Sequence, residues 1–91
     1  MEGLELIPSH CQESVQEYIE YGIPPGGFLT KVFANDLVGA FGKADDINEA
    51  HMRNYAMFLY CHAPTDCWGS YEKVRDWRGV KVHKEQMEST P

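Results

Sequence analysis

The sequence predicts a small all-α domain, with three main helices around one core and a short fourth helix. Three observations carry that expectation. Apolar residues recur three and four positions apart in each of the longer segments. Breaks rich in proline and glycine separate those segments, and no alternation of strand length appears except in the short Val80-Lys81-Val82. With 91 residues, there is room for one domain with a thin core, since such chains bury little more than ~60% of the surface they expose unfolded. The expected organisation is a single helical domain over residues 1–79 and a loose polar tail over residues 80–91.

Helix one is expected over residues 9–21. Pro8 has the fixed φ of a first helical turn, and Cys11, Val15, Tyr18, Ile19 and Gly22 recur on one face. Gly22 suits a left-handed end, and Ile23-Pro24-Pro25-Gly26-Gly27 forbids continuation. Helix two is expected from about residue 26 to 41. Phe28, Leu29, Val32, Phe33, Leu37, Ala40 and Phe41 cover nearly two of its faces, which predicts burial between two partners.

Helix three starts at Asp46, which with Glu49 resembles a capping box. Its stripe is Ile47, Tyr55, Phe58, Leu59 and His62, extended by Met52, and Pro64 ends it. Ser70 is the expected cap of a short helix over residues 71–78, with Val74 and Trp77 on one face and Gly79 at its end.

Composition narrows the function. Hydrophobic residues at 43% and charged residues at 24% are ordinary globular values. No apolar run approaches the ~18 residues of a membrane span, and no signal-peptide pattern opens the chain. A net charge of −6 disfavours non-specific nucleic-acid binding, which needs a cationic surface. A basic cluster of Lys73, Arg75, Arg78, Lys81 and Lys84 is present, but Glu72, Asp76 and Glu85 interrupt it. Residues 1–52 otherwise hold most of the acids, with Lys31 and Lys43 their only cations, and such asymmetry can steer the chain toward a charged partner. Cys11, Cys61 and Cys67 are odd in number and irregularly spaced, so reduced thiols are expected rather than a disulfide framework.

Few residues carry recognisable chemistry. His10, Cys11, Cys61, His62 and Cys67 offer five zinc-ligand groups, but no CxxC is present, and adjacent residues of a helix point about 100° apart. Neither a metal nor another cofactor is expected. Cysteine next to histidine contains the elements of a nucleophilic pair, yet no glycine-flanked nucleophile turn or oxyanion hole accompanies it, and the chain is not expected to be an enzyme. Asn35 and Asp36 interrupt an apolar helix and must find solvent or hydrogen-bond partners. Trp68, in Cys67-Trp68-Gly69-Ser70, fits a lid over a small core; it can equally stack on a planar ligand or fill a partner's pocket.

The run from Tyr18 to Thr30 containing Gly22-Ile23-Pro24-Pro25-Gly26-Gly27-Phe28-Leu29 resembles a family of small uncharacterised bacteriophage and prophage proteins. Asn35-Asp36-Leu37, Leu59-Tyr60-Cys61-His62-Ala63-Pro64 and Cys67-Trp68-Gly69-Ser70 extend the resemblance over about residues 7–77. The family pattern has proline after Ser70, where this chain has Tyr71.

The resemblance implies a protein acting in the cytoplasm of a bacterial host. It would antagonise a host system by binding, as a homo-oligomer, either blocking a host protein or sequestering a small nucleotide signal. The residues expected to bind ligand or partner are Trp68, Ser70, Asn35 and Asp36 at an inter-subunit pocket, with Arg75 and Arg78 supplying positive field for an anion. The alternatives are a phage structural or regulatory adaptor acting through helix packing, and a Cys/His enzyme or metal-binding protein.

Overall fold

The computed structural model describes residues 1–82, and the fold is all-α. A 3-10 turn over Leu4–Leu6 leads into α1 (Ser9–Tyr21), followed by α2 (Gly27–Phe33) and α3 (Leu37–Lys43). Next come α4 (Asp46–Ala50) and α5 (Met52–Cys61), a second 3-10 turn over Thr65–Cys67, and α6 (Tyr71–Asp76). Among the described residues there is no strand, and no helix is long and apolar enough to cross a membrane.

Helix one follows its sequence reading. Pro8 occupies its N-cap, and Gly22 ends it in the left-handed region at φ 72°, its N–H donating to the Tyr18 carbonyl. Cys11, Val15, Tyr18 and Ile19 are buried along one face.

The expectation of three main helices is corrected, because the second and third each divide. Between α2 and α3, Asn35 adopts a left-handed φ of 63°, a conformation its short polar side chain tolerates better than most. Asp36 then caps α3 by accepting the Gly39 N–H at 2.9 Å. Asn35 and Asp36 are thus a stop and a start, and no longer a polar pair inside one helix. The turn swings α3 away, so Ala40 is buried while Leu37, Val38 and Phe41 stay exposed.

In the third helix the cap is Asp45 and not Asp46: its carboxylate accepts the Asn48 N–H at 2.7 Å. Ile47 is exposed and Asn48 is buried instead, since Asn48, seven residues before Tyr55, is nearer the phase of the buried stripe. Burial of this amide is compensated, since its Oδ1 accepts from Tyr55 Oη at 2.7 Å and from Cys11 Sγ at 3.5 Å. His51 separates α4 from α5 with φ −109° and ψ 13°. His62, placed in the apolar stripe by its spacing, is exposed, though its ring lies near Phe58 at 6.1 Å.

The last helix begins as expected, with Ser70 Oγ accepting the Lys73 N–H, but ends two residues early at Asp76. Residues 80–82 are helical, which sets aside the strand reading of Val80-Lys81-Val82. Lys81 Nζ there donates to the Tyr21 hydroxyl at 3.2 Å. The rest of the expected tail, residues 83–91, lies outside the described residues.

The core is closed through Tyr18. Its ring meets Phe33 at 4.6 Å between centroids, and its hydroxyl donates to the Cys67 carbonyl at 2.6 Å. Its own carbonyl, already bonded to the Gly22 N–H, accepts a second bond from the Trp77 indole at 3.0 Å, and the same indole reaches the Ile19 carbonyl at 3.3 Å, one of the groups a helix C-terminus leaves over. Two glycines permit that closure. A side chain at Gly22 would stand 2.6 Å from the Arg78 carbonyl carbon, and one at Gly79 would strike the backbone of Glu20 and Tyr21.

Removing the Tyr18 hydroxyl leaves the buried Cys67 carbonyl without that donor, at a cost of roughly 1–3 kcal/mol. Tyr18→Phe is therefore expected to lower Tm by several degrees in a thermal melt while far-UV circular dichroism at 20 °C stays unchanged. A melt indistinguishable from the native one would contradict the role given to this bond.

Candidate functional site

Three surfaces receive the residues singled out from the sequence. Asn35 and Asp36 border a shallow groove of about 70 Å³ between α2, α3 and α5, floored by Ala40, Tyr55 and Leu59. Ser70 lies on the outer side of α6 with Lys73, Asp76 and Arg78. Arg75 and Arg78 line a cleft of about 630 Å³ between α6 and the Pro24-Pro25 connector, together with Thr30 and Tyr71. The fold brings the two arginines together but does not unite all six residues in one pocket.

The cleft is set by a stiff local segment on one wall and a long-range contact on the other. The two prolines hold the connector extended, and the Trp77 indole pins the end of α6 against α1 by donating to Tyr18 and Ile19 carbonyls at 3.0 and 3.3 Å. Between these fixed walls Arg75 stands on the last turn of α6 and Arg78 just past its extended cap, Trp77. Arg75 pairs with Asp76 at 3.0 Å, an exposed contact that orients the guanidinium and contributes little stability. Glu72 also reaches the cleft, and together with Asp76 on Arg75 it offsets much of the arginines' charge.

Sequence reasoning missed a polar cluster that links groove and cleft. The Tyr71 hydroxyl donates to the Asp36 carboxylate, and Lys31 Nζ lies 3.3 Å from that hydroxyl and 3.8 Å from Asp36. The Tyr71 hydrogen bond and the Gly39 N–H hold the Asp36 carboxyl below the usual carboxylate range. Its contribution to stability is therefore complete above that range and lost as pH falls through the lowered value. The three residues lie 5 to 40 positions apart along the chain, and no local pattern marks them as neighbours.

Trp68 packs partly buried against the core, as a lid does. Its indole N–H is buried and has no acceptor among the described residues. Neither the cleft nor the groove is lined by it.

The groups that could have bound metal are dispersed. His10 pairs with Asp45 at 3.1 Å, Cys11 is engaged by Asn48, and Cys67 is fully buried. Among the described residues no group of three or more His, Cys, Asp or Glu is placed to hold a metal ion. All three cysteines are free thiols, with only Cys61 exposed. Burial pushes the Cys67 thiol up to about 12, so little thiolate forms at neutral pH.

No family model, curated protein or solved structure matches the chain.

Two measurements follow from this geometry. A maleimide or aromatic disulfide reagent is expected to label one thiol, Cys61, in the native protein and three after denaturation; rapid labelling of Cys67 without unfolding would contradict its burial. Trp68→Ala is expected to destabilise the fold by roughly 3–5 kcal/mol, as loss of a large packed aromatic does. Trp68→Phe retains a ring and removes the unpaired donor, so its melt is expected much nearer the native one. Equal losses in the two variants would show that the indole N–H finds a partner.

Proposed function

We propose that the chain is a phage-encoded, non-enzymatic binding protein that antagonises a host system in the bacterial cytoplasm by sequestering a small nucleotide signal, and that it works as a homo-oligomer. The phage setting rests on the sequence resemblance. The observation that carries the ligand class is the cleft between the proline connector and α6. Its volume of about 630 Å³ falls within the ~300–1,000 Å³ common for small-molecule sites. Its lining suits a planar anion: Tyr71 offers a stacking surface, Arg78 offers forked donors for phosphate oxygens, and Arg75 adds the donors that its Nε and Nη2 bonds to Asp76 leave over.

Binding without turnover is supported by the state of the thiols. Cys67 is buried and held protonated, and Cys61 lies at the end of α5 away from the cleft lining. A second reading, the blocking of a host protein, is favoured by α1. Glu13 is exposed on that helix, and Glu17 and Glu20 are half-exposed, on a segment without lysine or arginine. Such a surface would meet a basic one.

The test is a thermal-shift and calorimetric screen of the purified full chain against linear and cyclic mono- and dinucleotides. A ligand present at 100 times its Kd stabilises the native state by about 2.7 kcal/mol, an upward shift of ten degrees or more for a domain of this size. Arg75→Ala with Arg78→Ala is expected to abolish the shift while leaving the unliganded melt nearly unchanged. Binding that survives loss of both arginines would place the ligand elsewhere. No binding across the panel would remove the nucleotide reading and leave the acidic helix as the working surface.

A further inference from the structure

We propose that the apolar face shared by α3 and α5 is where this chain pairs with a second copy of itself. The inference rests on the homo-oligomer part of the function above and assigns its surface. Leu37 is 63% exposed, Val38 83%, Phe41 45% and Tyr60 85%, which is unusual exposure for four large apolar side chains in so small a domain. Leu37 and Phe41 lie one turn apart on α3. Across the groove, Tyr60 stands one turn beyond Ala56, which lines it, and the floor of Ala40 and Leu59 between them is apolar. A hole of about 70 Å³ takes a single side chain of a facing helix, as in knobs-into-holes packing.

Two considerations select a second copy as the occupant. The first is charge. A chain of net charge −6 repels its own image wherever ionised faces would meet. A two-fold axis brings the same patch of each copy together, so the pairing face has to be neutral. Leu37, Val38, Phe41, Ala56 and Tyr60 carry no charge at neutral pH, Lys31 and Asp36 at the end of the patch offset one another at 3.8 Å, and the flanking Arg53, one turn before Ala56, adds no negative charge to it.

The second is area. Leu37, Val38, Phe41 and Tyr60 together expose on the order of 400–500 Å², more than half of the ~800 Å² that each partner buries in a standard stable interface. The groove walls and flanking backbone supply the remainder. Arg75, Arg78 and the proline connector stand outside this patch, so a paired molecule keeps its cleft linings.

Sedimentation velocity of the full chain at 1–100 µM tests the assignment. The expected mass is twice 10.4 kDa, or a higher even multiple. Val38→Glu and Tyr60→Glu, on different helices and at highly exposed positions, are each expected to give the 10.4 kDa monomer with native circular dichroism. Ile23→Glu, a control in the connector at 46% exposure, is expected to keep the native mass. A native protein that stays monomeric at 100 µM overturns both this face and the homo-oligomer reading. An even-numbered oligomer that survives both α3 and α5 variants overturns the face alone, and an odd-numbered one overturns the two-fold pairing. The nucleotide thermal shift is read separately and stands or falls by itself.

Discussion

Tyr18 is the residue on which the arrangement of the other elements depends. It sits in the last turns of α1, yet it makes contacts with three later parts of the chain. The ring packs on Phe33 of α2, the hydroxyl holds the Thr65–Cys67 turn, and the backbone carbonyl receives the Trp77 indole. Each contact joins groups distant in sequence. Burial raises the cost of ionising its phenol, so the hydroxyl remains a donor throughout the neutral range. A small core has few such crossing points, and here one aromatic side chain supplies several of them.

Much of this arrangement was legible along the chain, and the illegible parts have specific causes. Helix one could be read to its ends because proline, apolar spacing and glycine all agree there. The division of the second helix could not be read from spacing alone, because Leu37, Ala40 and Phe41 continue the phase of Val32 and Phe33. The signal was Asn35-Asp36, a pair that tolerates left-handed backbone at its first member and caps at its second. The Asp45 cap was hidden because two aspartates stand side by side and either begins a plausible capping pattern. Asn48, seven residues before Tyr55, lies nearer the phase of the buried stripe than Ile47 does, but its polarity concealed it.

The candidate site was legible only as ingredients. Arg75 and Arg78 are visible as cations three positions apart, but the opposing proline wall becomes relevant only once Trp77 has drawn α6 against α1. Lys31, Asp36 and Tyr71 converge for the same reason. The three expected ligand residues Trp68, Ser70 and Asn35 serve local structure as well: one covers the core, one caps a helix and one turns the chain. Such residues stand out in a sequence whether or not a ligand ever touches them.

The bond from the Trp77 indole to the Tyr18 carbonyl spans 59 positions. Closing so long a segment carries an entropic cost that only the finished contact offsets. The cleft walls therefore depend on a contact that no local structure can supply. During synthesis, a chain that has not yet delivered Trp77 from the ribosome presents neither a completed cleft nor a sealed end to α1.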